Sequence, residues 1–155
     1  MPLAPHRDAE LLFSQPLEIC YDVSNMANND DLEKNKAIVE KIVEIFAGGD
    51  ISEINSIVSP NYIDHQGLPG ITIRGQEGFK QVVMVARKSA PDLRVDIMDL
   101  ISEGNKVVVR LQWHGTGHSG KKVDRETIDI IRLLDGQMVE HWGAEEWSSE
   151  GGSTD

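Results

Sequence analysis

The chain of 155 residues carries a formal net charge of −11, with 39% hydrophobic and 26% charged residues. This composition is typical of one globular domain with a solvated surface. The excess of carboxylates disfavours partners that present phosphate, whether nucleic acid or an anionic membrane surface. The single cysteine, Cys20, allows no internal disulfide, and no Cys-x-x-Cys pair is present to bind zinc. We therefore expect a cytoplasmic protein that binds neither nucleic acid nor membrane nor metal.

Changes of pattern divide the chain into three stretches. Residues 1–30 are interrupted by proline and sustain no periodicity, which predicts a disordered or loosely attached extension. The segment that begins at Met26 resembles the start of a natural protein. Residues 148–155 are rich in serine and glycine, which predicts a flexible tail. The folded domain is therefore expected to span 31–147.

Helical periodicity predicts three helices in the first half of this domain. The first spans 32–47 and carries an apolar stripe that includes Phe46. A shorter one spans 50–57, and the third begins at Arg74 and ends before Pro91.

Beyond Pro91 the hydrophobic period changes to two, which is typical of half-buried strands. Turn signals at Gly104-Asn105 and Asp135-Gly136, with a longer loop over 117–122, separate the strands. Helices followed by an antiparallel meander predict an α+β fold. The four predicted strands are 93–101, 106–114, 125–134 and 137–147.

The turns predict which residues lie opposite each other in the sheet. A two-residue turn at Asp135-Gly136 places Asp129 opposite Trp142, and a loop centred between residues 120 and 121 places Gln112 opposite Asp129. The first hairpin places Asp99 opposite Arg110. One face of the predicted sheet then mixes apolar groups with converging polar ones, which favours a small-molecule pocket. Its polar and aromatic members include Gln112, His114, Thr127, Asp129, Glu140 and Trp142.

The opposite face of the predicted sheet is almost wholly apolar and has to be covered. It carries His141, for which this placement indicates a structural or interface role. We expect a homo-oligomer, a dimer or tetramer, that forms through part of this face. The residues concerned are Val109, Leu111, Ile128, Ile130 and Val139.

Short motifs in a fixed order over about 35–147 resemble those of one family. They are Tyr62-Ile63-Asp64-His65, Arg74-Gly75-Gln76-Glu77-Gly78-Phe79, Ala90-Pro91-Asp92-Leu93-Arg94, His114-Gly115-Thr116, Ile128-Asp129-Ile130-Ile131-Arg132 and Asp135-Gly136 followed by Glu140-His141-Trp142. Together they resemble the SnoaL-like polyketide cyclases, or ester cyclases, of the nuclear transport factor 2-like superfamily. The resemblance implies a cone-shaped α+β barrel, in which a curved antiparallel sheet and three N-terminal helices enclose a pocket.

The resemblance also implies a chemistry, namely ring closure of a polyketide methyl ester by intramolecular aldol condensation without metal or cofactor. The catalytic aspartate and assisting histidine of the family match Asp129 and His114. A carboxylate between Ile128 and Ile130 is unusual on a solvated strand, and burial would raise its pKa and suit it to proton removal beside a carbonyl. The residues expected to bind the substrate are Tyr62, Asp64, His65, Gln112, Trp142 and Phe46.

Two functions remain open at this point. The first is a cofactor-free cyclase or related lyase or isomerase that acts on a small ester or carbonyl substrate. The second is a non-catalytic ligand-binding or dimerisation module, because one fold can serve many functions. In the second case Asp129 is a structural residue held by Thr127, Gln112 or an arginine.

Overall fold

The structure, a computed structural model, describes residues 28–66 and 73–145. The predicted tail and nearly all of the predicted extension lie outside these residues. Within them, three α-helices and five β-strands are arranged with the helices mainly first. They are α1 (Asn29–Phe46), α2 (Ile54–Ile57), β1 (Val58–Asp64), α3 (Gly75–Ser89), β2 (Arg94–Glu103), β3 (Lys106–Thr116), β4 (Lys122–Leu134) and β5 (Gln137–Glu145).

Helix α1 begins a few residues before the predicted start, inside the stretch expected to be an extension. The side chain of Asn28 accepts a hydrogen bond of 2.9 Å from the backbone N–H of Asp31 and so caps the helix. The first turn carries Asp30 and Asp31, whose negative charge is favourable at a helix N-terminus. The capping residues therefore start the helix earlier than its hydrophobic periodicity predicted.

The sheet has the strand order β1-β5-β4-β3-β2. Strands β2 to β5 form the predicted antiparallel meander, and Asp99 lies opposite Arg110 as expected. Strand β1, which contains the extended piece predicted around Tyr62, adds a parallel edge beside β5. Parallel pairing sets Asp64 next to His141, although these two residues are far apart in sequence.

Helices α1 and α3 cover one face of the sheet and form the core with it. Aromatic rings link the two layers: Phe46 packs edge-to-face against Phe79 and Trp113, and Tyr62 packs in the same way against Phe79. The inner face of β3, which includes Val109, is buried against these rings. These four rings also line a cavity whose wall is mainly apolar.

The pairing of β3 with β4 differs from the prediction by an odd number of residues. Asp129 lies opposite Val109 and not Gln112, because the hairpin between these strands is centred on Ser119 and not between residues 120 and 121. The N–H of Gly117 donates to the carbonyl of Lys121 at 2.9 Å, so β4 already begins at Lys122. An odd shift moves every side chain to the other face of the sheet. The predicted placement of Gln112 and His114 on the face of Asp129 is therefore wrong.

A β-bulge at Val139 changes the pairing of β4 with β5. Leu133 pairs with Met138, but the next pair is Arg132 with Glu140, so Val139 is an extra residue in β5. Beyond the bulge, Asp129 lies opposite Gly143 and not Trp142. The bulge thus brings His141 onto the face of Asp129, and the predicted placement of His141 on the opposite face is wrong.

The two changes of register also alter the predicted apolar face. Val109 and Leu111 are buried on the inner face, whereas Ile128 and Ile130 lie on the outer one and are 49% and 39% exposed. The expected continuous apolar surface through all of these residues is therefore wrong. A smaller apolar strip remains on the outer face.

Candidate functional site

A cavity of about 220 Å³ lies between the inner face of the sheet and the helices. Most of its wall is apolar and aromatic, with Phe46 from α1, Phe79 from α3 and Trp113 from β3. Polar side chains gather at one part of the wall, where Asp129 and His141 meet Asp64 from the edge strand. An apolar cavity with a few fixed polar groups is the usual form of a small-molecule site.

Both carboxylate oxygens of Asp129 accept hydrogen bonds, although the residue is only 7% exposed. The Thr127 hydroxyl donates to Oδ2 at 2.7 Å, and the Trp113 indole N–H donates to that hydroxyl oxygen at 2.9 Å. Because the indole N–H occupies an acceptor position of the Thr127 hydroxyl, the hydroxyl proton points towards Asp129. The other oxygen, Oδ1, is 2.9 Å from Nε2 of His141. The carboxylate is thus held in one orientation at the cavity wall.

The imidazole of His141 lies between two carboxylates. Its Nε2 is bonded to Asp129 and its Nδ1 is 3.1 Å from Oδ1 of Asp64. Burial alone lowers the pKa of His141, but the hydrogen bonds and negative charges of Asp129 and Asp64 outweigh burial and raise this pKa to about 9. His141 is therefore an imidazolium at neutral pH.

Two more groups complete this end of the cavity. The backbone N–H of Gln66 donates to Asp64 at 2.9 Å. Burial, together with the neighbouring Asp64, raises the pKa of the Tyr62 hydroxyl, which therefore stays neutral and able to donate. Tyr62 is 1% exposed, so its hydroxyl is fixed among these groups.

Gly143 makes room for the carboxylate on the neighbouring strand. A Cβ at this position would lie 2.6 Å from Oδ1 of Asp129 and closer still to the side-chain amide of Gln66. Real Cβ atoms essentially never approach another heavy atom so closely. The absence of a side chain at this position therefore lets Asp129 reach His141.

A second charged pair lines the cavity farther along β4. Arg125 and Glu145 form a salt bridge of 2.7 Å, and the guanidinium of Arg125 lies 5.3 Å from the centroid of the Trp113 ring. Both side chains are about half exposed. The pair compensates its own charge at the solvent side of the cavity.

Four of the predicted site residues line the cavity: Asp129, Asp64, Tyr62 and Phe46. The other four lie elsewhere. His114 lies 3.4 Å from Asp96 on the outer face, and Gln112 donates to Asp124 on the same face. Trp142 stacks on His65 with ring centroids 4.6 Å apart, again outside the cavity. The changed registers explain why Gln112, His114 and Trp142 lie outside the cavity. His65 also lies outside it, because its ring stacks on that of Trp142.

The histidine beside Asp129 is His141, which the sequence analysis assigned to the opposite face. The signal that could have identified it is weak. If 138–143 formed a regular strand, each of its faces would mix apolar and polar residues, and such mixing is also expected of a strand with a bulge. Across residues 28–66 and 73–145, no group of three or more side chains is arranged to hold a metal ion. No helix in that part of the chain is long and apolar enough to cross a membrane.

The curved sheet, the three helices before its meander and the cavity between them define the cone-shaped α+β class of the nuclear transport factor 2-like superfamily. The family model of the SnoaL-like polyketide cyclases matches residues 36–148. The chain belongs to this family, as its motifs suggested.

Solved structures agree with this assignment. A proposed polyketide cyclase from Bacillus cereus ATCC 10987 is 30% identical, with 77% of this chain and 79% of that protein covered and a TM-score of 0.69. TsrD from Streptomyces laurentii is 26% identical, with 72% and 90% covered and a TM-score of 0.60. IdmH, a proposed polyketide cyclase from Streptomyces antibioticus, is 24% identical over 72% and 91% with a TM-score of 0.63, which shows likeness of fold. No curated protein shows significant similarity to the chain.

Proposed function

We propose that the chain is a cofactor-free acid/base enzyme that closes a ring in a small ester or ketone by an intramolecular aldol reaction. The observation that carries this proposal is the Asp129 carboxylate, fixed on both oxygens at the wall of an apolar cavity. A carboxylate held there can reach an acidic C–H bond of a bound carbonyl compound. Membership of the SnoaL-like family supports the same chemistry.

The proposed reaction moves one proton out and back. Asp129 removes a proton from the carbon next to a carbonyl group, which leaves an enolate and a neutral carboxylic acid. The enolate carbon attacks a second carbonyl of the same molecule, and the new alkoxide receives the proton back from Asp129. The hydrogen bond from His141 holds the Asp129 carboxylate in place for the first step. The apolar wall excludes water from the enolate.

Asp129→Asn tests the acid/base role. Asparagine has nearly the same volume and can still accept hydrogen bonds, but it cannot take the proton. We expect the variant to fold and to lose about 10²–10⁴-fold in turnover, the usual size of general acid–base catalysis. The assay needs a substrate, so a panel of polyketide methyl esters and smaller keto esters is screened first by product analysis.

Asp124→Asn is the matched control. It makes the same change on the same strand, but Asp124 lies on the outer face opposite His114. Its turnover should equal that of the wild type. Unchanged turnover in Asp129→Asn would refute the mechanism.

The alternative is a ligand-binding module without catalysis. It is favoured by the fact that Asp129 has hydrogen-bonding partners on both oxygens within the protein, as a structural carboxylate does. In that case, panel compounds would bind equally to the wild type and to Asp129→Asn, and none would be converted. Calorimetric titration of both proteins with each compound separates the two functions.

We also propose that the protein is a homodimer that pairs through the apolar strip on the outer face of the sheet. Ile101, Val108, Ile130 and Trp142 lie side by side on β2 to β5, with Ile128 next to them. Side chains of this kind are stabilised when a second surface covers them. The expected cytoplasmic location stays a prediction.

A further inference from the structure

Three strands supply one charged unit at the cavity wall. Parallel pairing of β1 with β5 sets Asp64 beside His141, and the bulged antiparallel pairing of β4 with β5 brings Asp129 to the other side of the same ring. The side chains are well shielded, with exposures of 17% for His141, 9% for Asp64 and 10% for Asp129. The mechanism proposed above uses Asp129 and His141 and leaves Asp64 without a role.

The imidazole needs two protons to satisfy two carboxylates. A neutral ring has one N–H donor and one acceptor nitrogen, so one carboxylate would face a lone pair. Two carboxylates therefore favour the imidazolium, in which both nitrogens donate.

The counter-charge of His141 changes during the proposed reaction. When Asp129 takes the substrate proton, it becomes neutral and no longer balances the imidazolium. An unbalanced charge in a shielded site is costly. With Asp64 in place, the imidazolium still has a carboxylate at 3.1 Å.

We propose that Asp64 is a positioning residue of this site, which holds the Nδ1–H of His141 and keeps the ring protonated, with its Nε2–H directed at Asp129, through the whole reaction. This inference rests on the proposed function. His141 gives up no proton in the cycle: the proton removed from the substrate carbon stays on Asp129 until the alkoxide takes it.

Other groups facing the ring do not compete for this role. Tyr62, on β1, stays neutral because burial raises the pKa of its hydroxyl. The helices contribute apolar side chains such as Phe79 and Val82 to the cavity. The Arg125–Glu145 pair lies four residues farther along β4 and β5 and compensates its own charge.

The first test is a titration of the histidine rings by NMR, which needs no substrate. The wild-type His141 signal, assigned by its absence in His141→Gln, should have its midpoint near pH 9. Asp64→Asn keeps an acceptor for Nδ1 but removes the charge, and the midpoint should fall by about 1 to 3 pH units. In Asp124→Asn, which removes a charge on the outer face, the His141 midpoint should not change.

A wild-type midpoint at or below the ordinary value of about 6.5 overturns the inference, even if the variant does not fold. So does a midpoint that Asp64→Asn leaves unchanged.

The second test is the pH dependence of turnover on whichever panel compound reacts. In Asp64→Asn, above the lowered midpoint, the ring is neutral and Asp129 loses its charged hydrogen-bond donor. We expect the alkaline decline of kcat/KM to move to lower pH by as much as the NMR midpoint, with about tenfold loss per pH unit beyond it. Turnover should return below the lowered midpoint, where the ring is protonated again.

Loss of turnover at every pH would show that Asp64 does more than hold His141, which also overturns the inference. Failure of the proposed function has a different outcome. It shows as no reaction of any panel compound, or as full turnover in Asp129→Asn, and both leave the NMR titration valid.

Discussion

Gly143 has the strictest requirement for its residue type in the site, because Asp129 and Gln66 fill the space where a side chain would begin. In Gly143→Ala, the flexible Gln66 can move away, but Asp129 is held by Thr127 and His141. We expect the methyl group to break one of these two hydrogen bonds. The free energy of unfolding should fall by about 1–3 kcal/mol, as overpacking usually costs, and turnover should fall with it. Urea denaturation measures the first effect.

Gly117→Ala is the control for this substitution. Its Cβ would meet its nearest neighbour at 3.4 Å, which is ordinary contact, and its backbone is not in the left-handed region. Stability should therefore change little. Equal stability of Gly143→Ala and the wild type would show that the carboxylate can move without loss.

The elements were easier to predict than the registers between them. Periods of 3.6 and 2 in the sequence predict the helices and the meander, because both patterns come from burying one face of an element. Asp129 stood out for the same reason, as a charge in an apolar run.

Register depends on details that no periodicity carries. A hairpin centred on Ser119 and one extra residue at Val139 exchanged His114 for His141 as the neighbour of Asp129. A bulge is stabilised by packing across strands, and residues distant in sequence decide it. The sequence could therefore single out Asp129, which lines the cavity, but it could not identify the histidine beside it.

The end of α1 depends on a side chain from α3. Its last turn has no basic residue, and Arg87 supplies the charge from α3 by donating to the carbonyls of Ile45 and Gly49. This contact fixes the turn that carries Phe46 on the cavity wall. Arg87→Met should therefore lower the free energy of unfolding by about 1–3 kcal/mol, because it leaves carbonyl groups without a charged donor.

Lys88→Met is the matched control for Arg87→Met, since Lys88 is exposed on the same helix turn. It should change stability by no more than about 0.5 kcal/mol. Thermal and urea unfolding of the pair give the comparison, and equal losses in both variants would contradict the role of Arg87.

At the scale of the whole molecule, the proposed dimer makes a clear prediction. Ile130 lies near the middle of the outer strip, between Val108 and Trp142 on the neighbouring strands. Ile130→Lys would place a charge in the proposed interface, where burying it without a partner is unfavourable. Light scattering at micromolar concentration should give a dimer mass for the wild type and a monomer mass for the variant.

Val85→Lys is the control for surface charge, because Val85 is 53% exposed on α3, away from the strip. It should remain a dimer. A monomer mass for the wild type would contradict the proposed dimer, and a dimer mass for Ile130→Lys would place the interface elsewhere.

The parallel pairing of β1 with β5 also has a consequence for how the protein folds. Asp64 and His141 are separated by 77 positions, and the strand that carries His141 comes after every other element described. During synthesis, β1 leaves the ribosome long before its only strand neighbour in the described sheet, β5, exists. The contact between Asp64 and His141 therefore joins the two strands that are most distant in sequence, and it forms as a late closing step. Loop-closure entropy makes such steps slow. Until then the half-built cavity exposes its aromatic wall, and transiently exposed apolar surface of this kind is prone to aggregation.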